Sequence, residues 1–431
     1  MEILVLVVVA LAALAVGVPI GIALCCGLVA LSFGFGTIDL SFISQAMYTG
    51  QESLPILAVP CFMLAGDIMQ RGGLTDRLVA IARKLTGHQA GGLGNVTIVA
   101  SLFFGAISGS APATTSAIGG NMIPAMEKEG HYDKAYATGL ASIAGALGII
   151  IPPSIPFVVF ASVTSASVGS LFIAGVIPGI IVALALIFTH TLQAKHRGYV
   201  DKQPRASFKE VMKSIWDGRF AVLMPIIILG GIYGGFFTPT EASVVAIFYS
   251  LIVGFFVYKE LKWSDVFSIL DNTASFVGGV MLAFAPAAAL GAVLTMLNVP
   301  AMVSHLLLSI TDNIYIIMLI VIVVLLGAGM ILDTISAIVV FAPILYKVLV
   351  PMGIDPVHLG VIMVVDLAIG FVTPPVAQNL FVASSMTGLP IHGIVKKALP
   401  FILTMLIALL LITFFPEISL TLGKGLALLK G

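Results

Sequence analysis

Charge is what this sequence has least of. Twenty Lys and Arg and twenty Asp and Glu make up 9% of 431 residues, whereas a soluble domain carries about 25% to cover its surface. An ordinary soluble globule is excluded. The net charge is zero and no basic domain stands out, so no nucleic-acid partner is expected. Cysteine is nearly absent: Cys25, Cys26 and Cys61 all lie in apolar stretches, which suggests neither a disulfide framework nor a thiolate metal site. The seven histidines, at positions 88, 131, 190, 196, 305, 358 and 392, fall mostly in loops or at the ends of apolar runs. They form no constellation with a nucleophile or with metal ligands, so the machinery of a membrane-embedded hydrolase is missing and no enzyme activity is expected. The N-terminus has no basic leader and no polar cleavage region, so the run from Leu4 reads as a retained membrane segment.

What is abundant is apolar: 59% hydrophobic residues and a mean hydropathy of +1.16. The apolar runs continue over ~20 residues without alternating, which implies membrane-spanning helices and not a barrel. Two of these segments are broken where a span should be most regular. Residues 103–120 read FFGAISGSAPATTSAIGG, and residues 145–157 read GALGIIIPPSIPF. Ser108-Gly109-Ser110 with Pro112, and Pro152-Pro153 with Pro156, leave backbone groups without helical partners. In hydrocarbon such groups are tolerated only inside protein or beside a wet cavity or a bound ion. Packing through small residues would explain one such stretch, but the pattern occurs twice. Residues 326–343 (LGAGMILDTISAIVVFAP) and 365–379 (VDLAIGFVTPPVAQN) repeat it. Gly148 and Gly370, Pro152 and Pro374, Pro153 and Pro375, Ser162 and Ser384, and Pro178 and Pro400 are each 222 positions apart, and Pro124 and Pro343 are 219 apart. Interrupted segments at matching places in two halves point to the binding site of a secondary transporter.

The layout follows from charge bias. Residues 195–219 hold Lys195, Arg197, Lys202, Arg205, Lys209, Lys213 and Arg219, seven of the twenty basic residues, so this loop reads as cytoplasmic. Loops 71–88 and 127–134 then fall on the same side, and the segment between them is a re-entrant helical hairpin with Ser108-Gly109-Ser110 near its tip. Lys259 and Lys262, with Trp263 as an interfacial anchor, and later Lys396 and Lys397 mark the same side in the second half. There, residues 314–350 form a second hairpin entering from the opposite face. Residues 3–36 break at Gly17-Val18-Pro19-Ile20-Gly21, matched by a break at Phe237-Thr238-Pro239, and read as two spans. The expected fold is an all-α integral membrane protein of about ten spans, two of them interrupted, with two re-entrant hairpins related by an inverted repeat. It divides into N-terminal scaffold spans (1–90), a first transport unit (91–176), a linker with central scaffold spans (177–313), a second transport unit (314–390) and a C-terminal span (391–431). Both termini are expected on the periplasmic side.

A hard monovalent cation takes oxygen ligands, and unwound carbonyls supply them without burying a full charge. One sodium ion is expected between Ser108, Gly109 and Ser110 of the first tip and Gly148, Ile151 and Pro152 of the first break. A second is expected between Gly327 and Gly329 and Gly370, Thr373 and Val376. Thr114, Ser116 and Thr373, the amides of Gln378 and Asn379, and the positive ends of half-helices are candidates for holding an anionic substrate. At Asp333 two uses stand side by side, a substrate or ion contact and a helix cap; Asp366 carries the same pair of readings. Glu241, after Thr-Pro-Thr, reads as a helix-start acid, and His305 as structural. No organic cofactor is indicated.

These stretches, together with PCFMLAGDIMQRGGLTDRL (60–78), IIPPSIPFVVFA (150–161), GGIYGGFFTPTEASVVA (230–246) and GFVTPPVAQNLFVAS (370–384), resemble over nearly the whole chain the large membrane subunit of tripartite ATP-independent periplasmic (TRAP) transporters. The resemblance implies a sodium-driven secondary transporter of the bacterial inner membrane, in which hairpins and broken helices move by an elevator motion past a fixed scaffold. It implies a small four-helix membrane subunit and a periplasmic substrate-binding protein as partners, and a carboxylated substrate such as a sialic acid or a C4-dicarboxylate. Because the chain starts directly at the large subunit, the small one is expected as a separate polypeptide. Membrane lipid is a further expected contact of the basic loops. One departure is Pro112-Ala113-Thr114-Thr115, where many members carry an Asp, which leaves the substrate contacts at the first tip open. A transporter of the same broad class working alone remains the alternative reading.

Overall fold

A computed structural model describes residues 1–199 and 204–430; Lys202 of the basic loop lies outside the described residues. Every regular element among the described residues is helical. The first apolar run divides as its Gly-Pro punctuation requires: Glu2–Ala15 ends before Gly17, at φ +85°, and Ile20–Phe35 begins after Pro19, which lacks the N–H a continuing helix would need. A Cβ on Gly21 would lie 2.3 Å from the Leu282 carbonyl oxygen, so this second helix packs backbone to backbone on the long helix Trp263–Met296.

Six helices among the described residues are long and apolar enough to cross a membrane: Leu54–Arg71, Val168–Arg197, Pro239–Val257, Trp263–Met296, Ile314–Ile331 and Ile391–Phe414. Two bent pairs add to these, Lys134–Ile150 with Ile155–Val163 at 43° and Phe208–Asp217 with Arg219–Tyr233 at 69°. Several expected spans are shorter. Glu2–Ala15, Ile20–Phe35 and Pro356–Gly370 have 14, 16 and 15 residues, about 21 to 24 Å at the helical rise, against a hydrocarbon core of about 30 Å. Large side chains such as Leu184, Phe188, Phe248, Phe256, Val323 and Ile407 are 58 to 72% exposed, as expected of a surface that faces lipid and not water.

The hairpins and broken helices are present in both halves. Gly92–Ser108 and Ala111–Lys128 form the first hairpin, followed by the broken run Lys134–Gly145, Leu147–Ile150 and Ile155–Val163. Ile314–Ile331 and Thr334–Leu349 form the second, followed by Pro356–Gly370 and Gln378–Thr387. Two segments read as loops are in fact helices. Within 71–88, Leu74–Thr86 buries Leu74, Leu78, Ile81 and Ala82 on one face, and within 195–219 lies Phe208–Asp217. Leu74–Thr86 is amphipathic with its apolar face buried, whereas Phe208–Asp217 buries no residue and leaves Phe208, Met212 and Trp216 exposed. Glu241 does start a helix: it forms a reciprocal capping box with Thr238, whose N–H donates to Glu241 Oε2 at 2.7 Å. His305 is exposed. His190, in contrast, is fully buried within Val168–Arg197, 2.9 Å from both the Tyr136 hydroxyl and the Gly91 carbonyl, and so pins the base of the first hairpin.

Candidate functional site

The first hairpin turns on three residues. Gly109 closes the incoming arm in the left-handed region, at φ +62°, and its N–H donates to Gly105 O at 3.1 Å. Ser110 caps the outgoing arm, accepting from the Ala113 N–H at 3.4 Å. Thr114, one turn on, donates to Ser110 O at 2.7 Å and meets the Ser108 hydroxyl at 3.1 Å. This tip lies against the break in the following span. There Ile151 is extended, the Pro152-Pro153 bond is cis, and Ser154 bonds back to Ile149 O at 2.5 Å. The Ile155 N–H crosses to Gly109 O at 3.3 Å. Glycine is required at the contact: a Cβ on Gly148 would sit 2.6 Å from Ser110 O and 2.3 Å from Thr114 Oγ1, and one on Gly105 2.8 Å from Gly148 Cα. Ser108, Gly109, Ser110, Gly148, Ile151 and Pro152 are thus brought together, all buried.

The second half builds the same junction with different side chains. Gly370 and Gly329 meet backbone to backbone, a Cβ on Gly370 falling 2.6 Å from the Gly329 carbonyl carbon. The Val376 N–H crosses to Met330 O at 3.1 Å, again joining break to hairpin but from one residue earlier in the break than Ile155 and to the arm instead of the tip. Pro374-Pro375 is again cis, and the Thr373 hydroxyl donates to Ile369 O at 2.6 Å. The tip is Leu332-Asp333, and Asp333 Oδ2 caps Thr334–Leu349 by accepting from Ile335 N at 3.1 Å and Ser336 N at 3.0 Å. Gly327 stands apart from the junction: the space around it is open, and Gly329 makes the approach.

Between the two tips lies a cavity of about 350 Å³. The first unit contributes residues 109–112, Ile149, Ile155 and Pro156; the second contributes residues 333–335, Phe371 and Gln378. The far wall comes from Ser275, Phe276, Gly279, Val280 and Ala283 of Trp263–Met296, with Ile20. Helices Ala111–Lys128, Ile155–Val163, Thr334–Leu349 and Gln378–Thr387 all begin at this lining, so four positive helix ends converge on it. Among the described residues, Asp333 is the one ionisable side chain in the lining, which holds no Lys or Arg.

Of the residues expected to touch substrate, Asp333 and Gln378 line the cavity. Thr114 does not: it is buried between the first tip and the first broken helix. Ser116 is exposed and lies outside the lining. Asn379 is fully buried and donates to Ser142 O at 2.6 Å, tying the second break to the first broken helix. The rotation of a helix restarting after a break decides which side chains face inward, and sequence spacing does not record that rotation. At Asp333 the capping use and the cavity contact coincide. Asp366 is no cap; it lies inside Pro356–Gly370, wholly buried, with no hydrogen-bond partner at either oxygen among the described residues. The wall supplied by Trp263–Met296 has no signal in the sequence. Ser275 and Gly279 sit one turn apart within an apolar helix, and nothing in the sequence pairs them with the tips.

The chain matches the profile of the tripartite ATP-independent periplasmic transporter family, DctM component, over residues 7–418. It is 40% identical to the isethionate TRAP transporter permease protein DctMQ of Oleidesulfovibrio alaskensis, with 94% of this chain aligned to 64% of that longer protein. The C4-dicarboxylate TRAP transporter large permease protein DctM of Pseudomonas aeruginosa is 38% identical over 89% of each chain. The sialic acid TRAP transporter large permease protein SiaM of Vibrio cholerae is 35% identical over 95% of each. Among solved structures, the YdaH transporter of Alcanivorax borkumensis superposes with a TM-score of 0.60 at 16% identity, covering 86% of this chain and 87% of that one. MtrF of Neisseria gonorrhoeae gives 0.59 at 15% identity, covering 90% and 84%; at such identities the likeness is one of fold. With hairpins and broken helices meeting in both halves and a family match across nearly its whole length, this multi-pass helical membrane protein belongs to the tripartite ATP-independent periplasmic transporter family, as a DctM component.

Proposed function

We propose that the chain is the permease of a sodium-driven importer of small organic acids in the bacterial inner membrane. It receives substrate from a periplasmic binding protein and works beside a small four-helix membrane subunit. The observation that carries the reading is the pair of tip-to-break junctions facing one cavity without a basic side chain. An anion there is held by four helix N-termini and by the charge of cations bound at the junctions. The junctions offer oxygen donors, carbonyls and hydroxyls in both and the Asp333 carboxylate beside the second, which is the donor set of a hard cation, and suit one sodium ion each, about two in all. The relatives' names specify isethionate, C4-dicarboxylates and sialic acid. The first is a sulfonate and the others carboxylates, so a carboxylated or otherwise acidic substrate is the class expected here.

An elevator motion fits the same geometry. The first hairpin's tip ends inside the fold, where the Ile155 N–H crosses to Gly109 O, which suits a pair of arms entering and leaving on one side. The two units then move together along the wall formed by Trp263–Met296, carrying the cavity across. The cytoplasmic assignment of the basic segments is supported by ion pairs that gather them at one end: Arg83 with Glu129 at 3.0 Å, Arg77 with Glu260 at 2.7 Å and Lys397 with Asp133 at 2.9 Å. Uptake into proteoliposomes holding the permease, its small subunit and the binding protein tests the reading. Accumulation should require an inward sodium gradient and vanish without the binding protein. Uptake driven equally by potassium or choline would sink the sodium coupling, and uptake of free substrate by the chain alone would favour the stand-alone transporter.

A further inference from the structure

A second cleft lies away from the transport cavity. It has a volume of about 340 Å³ and runs between Leu74–Thr86, which contributes Arg77, Ala80 and Lys84, and Phe208–Asp217, which contributes Glu210, Lys213, Ser214 and Asp217. We propose that this cleft seats the phosphate of an anionic phospholipid. The argument has two independent parts, charge and apolar surface.

Lys84 and Lys213 bring two ammonium groups to the cleft beside the carboxylates of Glu210 and Asp217, while the charge of Arg77 is already met by Glu260. Arg77 is a fixed wall. It is bonded to Glu260 at 2.7 Å and to Gly73 O at 2.6 Å, and it lies 3.7 Å over the Tyr258 ring. The ammonium groups free to turn toward a ligand are Lys84, only loosely paired with Glu210 at 3.8 Å, and Lys213, which has no ion pair among the described residues. Glu210 is held in place by its capping box, its Oε2 accepting from the Ser207 N–H at 2.7 Å.

The opposite face of the same helix explains why the ligand is a lipid and not a free anion. Phe208, Met212 and Trp216, spaced by four residues, are 77, 47 and 66% exposed, and no residue of the helix is buried. The helix is bent 69° from the apolar helix Arg219–Tyr233 that follows it. A short helix with an apolar stripe outward and charges inward, set across the end of a span, lies in the membrane interface. There a basic cleft meets headgroups while the stripe meets acyl chains, and inorganic phosphate would make no use of the stripe.

Native mass spectrometry of the purified full chain, with added phosphatidylglycerol or phosphatidylcholine, tests the assignment. Phosphatidylglycerol should be retained in preference to phosphatidylcholine, and the Lys84→Ala/Lys213→Ala pair should lower its retention at least fivefold. These side chains are half-exposed to exposed, and unchanged thermal unfolding of the pair confirms that the fold is intact. Glu210→Gln/Asp217→Asn, which raises the local charge while Gln keeps a capping acceptor, should act in the opposite direction and bind more tightly. Equal retention in all three proteins, or no headgroup preference, would overturn the proposal. Displacement of the lipid by millimolar inorganic phosphate would reassign the cleft to a free anion, and photocrosslinking from position 213 to the small subunit instead of to lipid would reassign it to a protein contact.

Discussion

The two tip-to-break junctions share a backbone and differ in almost everything attached to it. In the first, residues 108–110 and 151–154 are all buried, and hydroxyls of Ser108, Thr114 and Ser154 close the loops. Gly175 and Gly179 of Val168–Arg197 press on Ile150, Ile151 and Phe157 from behind. In the second, Leu332, Asp333, Thr373 and Pro374 are only half-buried, Pro375 is exposed, and the buried hydroxyls of Thr334 and Ser336 have no partner among the described residues. The repeat has duplicated a crossing backbone bond, the cis Pro-Pro turn and the glycine contact, while one copy is sealed by neutral hydroxyls and the other is left ajar with a carboxylate at its mouth. The second junction is therefore the less enclosed of the two, and the substitutions below measure how far that asymmetry extends into energy.

The glycine contacts should show the largest effect. At Gly370 an added methyl meets Gly329 backbone atoms at 2.6 to 3.0 Å, which cannot move aside without shifting an arm of the second hairpin. Gly370→Ala is expected to cost about 3 kcal/mol and to reduce cation-dependent uptake more than tenfold. At Gly148 the closest atom is the Thr114 hydroxyl at 2.3 Å, with Ser110 O behind it at 2.6 Å, so Gly148→Ala should cost about 2 kcal/mol. Adding Thr114→Ala should recover part of that loss, because it removes the nearer obstacle. No such rescue exists for Gly370, whose obstacles are main chain. A thermal-unfolding double-mutant cycle on Gly148 and Thr114 that proves strictly additive would erase this difference between the junctions.

The caps come next. Asp333 accepts two backbone N–H bonds and Ser110 one longer one. Asp333→Ala should therefore cost about 1.5 kcal/mol and Ser110→Ala about 0.5. Asp333→Asn keeps an acceptor and should recover most of the stability while changing the charge of the cavity. Uptake by Asp333→Asn separates cap from contact: wild-type rates would reduce Asp333 to a cap, whereas loss of uptake with stability retained would give it a part in ion or substrate handling. For Ser110, substitution by a bulky residue such as Phe should block uptake at the tip while the assembled complex persists.

Much of this was legible in one dimension because its causes are local. Pro152-Pro153, Pro374-Pro375 and the glycines before them can occupy few conformations, and a spacing of 222 repeated five times is hard to produce without a repeat. The reading faltered where the third dimension decides. Spacing alone could not choose between Gly327 and Gly329, because the second tip is two residues, Leu332 and Asp333, between its arms, as the first is Gly109 and Ser110, while the contact glycine has slipped along the arm. Arg77, Arg83 and Lys84 conceal the buried stripe of Leu74–Thr86, because closely spaced charges mask its helical period. The inward faces of Asn379 and Thr114 depend on how each helix restarts, and the left-handed Ala377, at φ +52°, is a turn that sequence does not announce.

The smallest expected effect concerns what ties the first unit to its surroundings. Asp133 caps Lys134–Gly145 and meets Lys397 of Ile391–Phe414 at 2.9 Å. Partial burial pushes its carboxyl up, but the hydrogen bond from Lys397 and those from the N–H groups of Tyr136 and Ala135 outweigh it and leave the group below its ordinary value. A depressed carboxylate stabilises the fold above its unfolded value and loses that contribution as pH falls through the folded value. The wild type should therefore weaken relative to Asp133→Asn as pH drops from about 5 to below 4. The pair is 33 and 42% exposed, so solvent screening limits the bridge itself to about 0.5 kcal/mol. Lys397→Met should lose that much at low ionic strength and nothing at 1 M salt, because the cap to Ala135 and Tyr136 survives it. Thermal unfolding of the two variants against pH and salt checks this. A low-pH loss in Asp133→Asn equal to that of the wild type would move the titrating group elsewhere.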